Sequence, residues 1–136
     1  MGRRSPRRAA AAVELAVLLP FLAVSFSGVV DFARVLHTTQ LLQAAAQAGA
    51  ASASGTAWTP GYPGTATTAA KAAAKTATAG LSPALIDEQI TVTVANGKAT
   101  VTVSYDYPLA TAVLAASRTA HLTRTVTVIV APRAGD

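Results

Sequence analysis

The chain has 136 residues, a formal net charge of +5 and a hydrophobic content of 51%, but aromatic residues make up only 5%. Cysteine is absent, which excludes disulfides and thiolate metal sites. Four N-terminal arginines carry most of the positive charge, and the balance from Val35 onward is only +2. No nucleic-acid partner is therefore expected.

Residues 15–30 form a run of sixteen uncharged residues, ten of which are Leu, Val or Phe. As one helix, residues 13–36 would cover about 36 Å, enough to cross a hydrocarbon core of about 30 Å. The run is apolar on every face, which favours a membrane-spanning helix over the core helix of a soluble protein. Pro20 cannot donate a hydrogen bond to the Ala16 carbonyl, so a bend is expected there.

The residues that flank this run predict its orientation. The basic residues on its N-terminal side are Arg3, Arg4, Arg7 and Arg8. A basic cluster beside a first span stays in the cytoplasm, so the N-terminus is expected inside and everything after about residue 36 outside. At the outer end, Asp31 and Arg34 lie three residues apart, can pair on one helix face and mark the membrane-exit boundary.

A cleaved secretory signal is the alternative interpretation of the same segment. Glu14 stands at the threshold of the apolar run, where an ordinary signal peptide has no use for a carboxylate. The first convincing Ala-x-Ala cleavage site, at residues 44–46, lies far from the apolar centre. Both features argue against ordinary cleavage, which would release a secreted domain. The alternative function is therefore a structural or adhesion domain, secreted or anchored in the membrane, that is not processed as a pilin.

The N-terminal third of the chain resembles a known family. The string AAAAVELAVLLPF, preceded by arginines and followed by GVVDFARVLHTTQLLQAAAQAGA, resembles the N-terminal segment of TadE-like pilus-assembly proteins of the tight-adherence (Flp-type) type IV pilus system. The resemblance covers about residues 7–51. It rests on small residues, then Val13-Glu14, Pro20, Gly28, Asp31-Phe32 and Arg34. Family members usually carry Gly where this chain has Ala9, and an aromatic residue where it has Leu15.

The resemblance implies a minor pseudopilin-like component, held in the cytoplasmic (inner) membrane by one span and incorporated in a pilus or located at its base. Its implied partners are other pilin-like subunits, the pilus assembly machinery and a prepilin peptidase that would cut between Ala9 and Ala10. Glu14 would then be the fifth residue of the mature chain. In an apolar setting its carboxylate needs a cation, and the new α-amino group of a neighbouring subunit would serve. The other interpretation places Glu14 at headgroup level, hydrated and near Arg7 or Arg8.

The rest of the chain predicts a small outer domain. We expect a leader over residues 1–9, the spanning helix and its outward continuation over 10–54, a linker over 55–64 and an α+β domain over 65–136. Small residues on one face of the continuation, at Ala45, Ala46 and Gly49, would let another element approach closely. Trp58, the single tryptophan, is expected to fold back onto the core.

Within this domain, a helix is predicted over residues 65–79 and strands over 88–95, 98–107 and 121–131. Lys71 and Lys75 share one solvent face of that helix. Asn96-Gly97 between the first two strands is the signal of a type I′ hairpin. The form of segment 108–117 is left open. Together these elements predict an α+β, pilin-like fold with a small antiparallel sheet on the outer part of a long helix.

The search for catalytic groups indicates that the protein is not an enzyme. His37 and His121 have no cysteine nearby and no carboxylate spaced to orient them. Asp87 and Glu88 are neighbours that would point apart in a strand. No phosphate loop, metal-binding spacing or nucleophile elbow occurs, so we predict no cofactor, no metal and no catalytic residue.

Overall fold

The computed structural model describes residues 6–55, 62–109 and 118–130, with side chains from residue 9 onward. It confirms the α+β class. In chain order the elements are helix α1 (Pro6–Ser54), helix α2 (Pro63–Ala77), a short 3₁₀ helix (Asp87–Gln89) and strands β1 (Ile90–Ala95), β2 (Lys98–Pro108) and β3 (Thr119–Ile129). The predictions for Arg3, Arg4, Trp58 and residues 110–117 lie outside the described residues.

Helix α1 divides into a bare half and a packed half. Residues 9–26 are exposed throughout, although an 18-residue window of this helix reaches a mean hydropathy of 2.1. Beyond that half, one face is buried by the outer domain, and its fully buried members are Leu42, Ala45, Ala46, Ala50 and Ala53. A core helix of a soluble protein would be buried along its apolar stretch. This helix is buried where it is rich in alanine and bare where it is most apolar.

Helix α2 packs against the outer half of α1 through small residues on both sides. Ala66, Ala70 and Ala74 of α2 are fully buried, and they recur every four residues on one face. The predicted small-residue face of α1 is confirmed, because α2 lies against it. The predicted linker over 55–64 is two residues too long, since Pro63 and Gly64 already belong to α2. Proline suits the first helical turn, where an N–H would have no helical partner.

The sheet is a meander with the strand order β1-β2-β3, antiparallel throughout. Asn96 and Gly97 join β1 to β2 with φ angles of 51° and 68°, as the predicted type I′ turn requires. The first strand begins at Ile90, two residues later than predicted. The preceding residues form the 3₁₀ helix, in which the Ile86 N–H donates to Gln89 Oε1 at 3.1 Å.

The two faces of the sheet differ in chemistry. Val101, Val103 and Tyr105 of β2 are buried against the helices. The opposite face carries threonines, two pairs of which hydrogen-bond across β2 and β3: Thr100 with Thr127 and Thr102 with Thr125, each at 3.0 Å. Because side chains alternate along each strand, the apolar face of the sheet packs on α1 and the threonine face points to solvent.

Strand β2 runs back along α1 toward the bare half. Val101 lies beside Gly49, near the C-terminal end of α1, because a Cβ added at Gly49 would be 3.2 Å from Val101 Cγ1. Tyr107, six residues further along β2, lines a groove with residues 30–41 of α1. The end of β2 and the start of β3 therefore lie at the end of the outer domain that faces the bare half.

Candidate membrane-anchoring and assembly site

The residues predicted for processing and assembly lie on the first turns of α1. Ala9, Ala10 and Glu14 are all exposed and all helical. Ala10 and Glu14 are four residues apart and therefore lie on the same face, one turn apart. An amine created at Ala10 would therefore lie one helical turn from Glu14 of its own chain, and pairing with a neighbouring subunit stays a prediction.

The arginines that predict orientation are only partly described. Helix α1 begins at Pro6 and so includes Arg7 and Arg8, whose side chains are not described, and Arg3 and Arg4 precede it. Their topological role stays a prediction from the sequence. Among the described residues of α1, the first carboxylate is that of Glu14.

The two predicted boundary residues have different environments. Asp31 is buried, with 7% of its surface exposed, whereas Arg34 is exposed. Sequence alone gave no signal for the burial of Asp31, because it depends on how the outer domain packs on α1. Their role as a membrane-exit boundary stays a prediction.

Two ion pairs in the outer domain were not foreseen. Lys75 Nζ lies 2.7 Å from Asp87 Oδ1, so Lys75 is paired rather than only solvated. The hydrogen bond from Lys75 lowers the pKa of Asp87. His121 contacts Asp106 directly across β3 and β2, which corrects the expectation that no carboxylate would orient this histidine. The pairing depends on strand register, which spacing along the chain does not give.

The outer domain shows no arrangement suited to a metal ion within the described ranges: no group of three or more His, Cys, Asp or Glu side chains comes together there. The His121–Asp106 pair is well exposed, with 79% and 61% of the side-chain surfaces accessible. Such an exposed pair contributes little stability in water.

Together, the long helix with its bare apolar half and the small domain on its outer half define an α+β protein, and the described residues contain one candidate membrane span. Residues 9–51, about a third of the chain, match the family model described as TadE-like protein. This confirms the resemblance over these residues, and the TadE-like family suggests involvement in pilus systems of the Tad (Flp) type. No curated protein and no solved structure matches the chain.

Proposed function

We propose that this protein is a minor pilin-like component for assembly of a tight-adherence (Flp-type) pilus or a related secretion apparatus. It is anchored in the cytoplasmic membrane by the bare half of α1, with its N-terminus inside and its α+β domain outside. Its partners are other pilin-like subunits and the assembly machinery. It acts by structure and not by catalysis.

The observation that carries this proposal is the division of α1. The TadE-like match ends at residue 51, close to the end of the helix at Ser54, and it therefore covers both halves. Lipid would cover the bare half, and α2 and the sheet already cover the other. One continuous helix thus connects a membrane anchor to an outer domain, which suits a subunit that passes from the membrane to a filament.

The alternative of a secreted domain meets a structural obstacle. Cleavage at residues 44–46 would remove Leu42 from the core and cut α1 at Ala45 and Ala46, which are fully buried. The eight helical residues left, 47–54, would be too few to form a stable helix alone. Burial of the cleavage region thus supports an intact α1.

The mass of the protein extracted from membranes tests the proposal. A species beginning at Ala10 is the expected result and would establish processing at Ala9–Ala10. A species beginning at Met1 or Gly2 would leave the membrane anchor in place but contradict processing. A soluble species beginning beyond Ala44 would overturn the proposed function.

Glu14→Leu separates the assembly role from anchoring. Removing the carboxylate lengthens the apolar run, so membrane insertion should be unharmed or slightly improved. Pilus-dependent attachment should be lost, because the α-amino group of a neighbouring subunit would lose its partner. Val17→Leu, an apolar exchange at an exposed position of the same half, is the matched control and should attach normally. Wild-type attachment by Glu14→Leu at normal protein level would contradict the pairing role of Glu14.

A further inference from the structure

A groove of about 510 Å³ lies where the two halves of α1 meet. One wall is α1, through Val30, Ala33, Arg34 and His37, and the other is formed by Leu81 and Tyr107 of the outer domain. No carboxylate occurs among the described residues that line it, although the buried Asp31 lies on the same helix, three residues before Arg34. The groove thus combines an apolar lining with cationic or hydrogen-bond-donating groups on one side.

The groove continues along the bare half of α1. A second crevice, of about 580 Å³, is lined by Leu19, Leu22, Ala23 and Phe26, with Ser25 and Val29. Ala23, Phe26, Val30, Ala33 and His37 follow one another at spacings of three and four, so they lie on one helix face. A single apolar path therefore runs from the groove down the helix.

The height of the groove follows from the length of the bare half. If Glu14 remains outside the hydrocarbon core, about 20 residues are needed to cross about 30 Å, which places the outer boundary near residue 35. Large apolar side chains remain exposed up to Leu36, at 47%. Arg34 and His37 then lie at the level of lipid phosphates, and Tyr107 lies in the interface that aromatic side chains favour.

We infer that this groove binds an anionic phospholipid of the outer leaflet, with its phosphate at Arg34 and His37 and one acyl chain along Phe26 and Ala23. The inference rests on the proposed anchoring. Charge complementarity selects the headgroup, and continuity of the groove with the bare half selects a lipid over a soluble anion. The Arg34 guanidinium is suited to a phosphate because it can donate two parallel hydrogen bonds. A bound lipid would fix the tilt of the outer domain against the membrane.

Retention of lipid by the full-length protein tests this assignment. The protein is inserted into vesicles of equal phosphatidylglycerol and phosphatidylcholine, extracted in mild detergent, and its retained lipid is measured by native mass spectrometry. A preference for phosphatidylglycerol of about fivefold is expected for the wild type, from the one arginine at the groove. Arg34→Gln with His37→Gln should abolish it. His121→Gln with Arg124→Gln, which removes the same groups from the exposed sheet face, should leave it unchanged.

A second variant tests the apolar part without changing charge. Ala33→Phe places a ring in the groove from an exposed helical position, and it should reduce retention of both lipids. Ala44→Phe, at an exposed position of α1 outside the groove, should not. Wild-type retention by Ala33→Phe would overturn the location.

The remaining outcomes separate this inference from the proposed function. A wild type without preference, or a preference that survives in the Arg34→Gln and His37→Gln protein, would overturn the lipid site. Displacement of the lipid by millimolar inorganic phosphate would show a soluble-anion site and overturn it as well. If alkaline carbonate extracts the wild type from the vesicles, the anchoring itself fails and with it the proposed function.

Discussion

Gly49 of α1 faces the backbone of Ala70 in α2 so closely that a Cβ added at Gly49 would lie 3.1 Å from the Ala70 carbonyl oxygen. Val101 Cγ1 would be 3.2 Å away on the sheet side. Helix α1 therefore approaches both α2 and β2 at Gly49, a position without a side chain. The small side chains of the surrounding alanines allow this close approach, and at the closest point only glycine fits without displacing a neighbour.

Gly49→Leu should lower the free energy of unfolding of the outer domain by roughly 1–3 kcal/mol, because the added side chain must push α2 or β2 away. The better helix propensity of leucine offsets about 1 kcal/mol at most. Urea unfolding of the purified protein in detergent measures the difference. Ala51→Leu, at an exposed position of the same helix, is the control and should unfold like the wild type. Equal midpoints for the two variants would contradict the close packing.

Gly97→Val should destabilise the outer domain by about 1–2 kcal/mol, because a β-branched residue resists the positive φ of this turn. Gly80→Val is a matched control, since a Cβ meets nothing within 4 Å at either glycine and only Gly97 has a positive φ. Limited proteolysis of both variants distinguishes backbone strain at Gly97 from a general effect of replacing glycine by valine. Equal protease resistance of Gly97→Val and the wild type would mean that the turn is wrongly assigned.

Tyr105→Phe should cost about 1 kcal/mol, because the Tyr105 hydroxyl donates a hydrogen bond to the Pro83 carbonyl at 2.8 Å. Tyr107→Phe, two residues away on the same face, provides the comparison. If both variants unfold at the same urea concentration, the bond to Pro83 does not stabilise the domain.

The same tyrosine predicts a dependence on alkaline pH. Burial raises the pKa of Tyr105 above its ordinary value of 10.0. The folded state therefore favours the neutral phenol over the phenolate. The stability that this preference contributes is constant below the pKa of the tyrosine in the unfolded chain, and it is lost as the pH rises above that value. Stability should fall above about pH 10 in the wild type, since the phenolate is less compatible with the fold. Tyr105→Phe should lose less stability over this range, as followed by the melting temperature.

Orientation can be tested with single cysteines, because the chain has none of its own. Cysteines at the exposed positions Thr65 and Thr93 should react with an impermeant thiol reagent when only the outer layer of the cell is permeable. Labelling of both cysteines only after lysis of the cell would reverse the orientation.

Local signals in the sequence were sufficient for most of the fold. Asn96-Gly97 specifies the turn by its own conformational preferences. The small residues spaced by four on α1 likewise indicate a face on which a second helix can pack. These features depend on residues close in sequence, so the chain shows them directly. The helix and strand bounds differ by only a few residues because caps such as Pro63 act within one turn.

Contacts between distant segments were not predictable in the same way. Tyr105 meets Pro83 across 22 residues, and Asp106 meets His121 only because of the register between β2 and β3. The burial of Asp31 likewise requires the outer domain to be in place. The candidate assembly residues and their chemistry were predicted from the sequence, and the structure adds that Ala10 and Glu14 share a helix face.

The threonine-rich face of the sheet carries an ambiguity of alignment. Each strand contains Thr-Val-Thr-Val, at residues 91–94, 100–103 and 125–128. Sliding β3 by two residues along β2 would keep valines on one side and threonines on the other, so the repeats alone cannot choose between neighbouring alignments. The ends make the choice: the Val130 N–H donates to the Gly97 carbonyl at 2.8 Å, and Asp106 meets His121 instead of a threonine. A sheet slipped by two residues thus competes with the native alignment, and the contacts at the strand ends favour the native one.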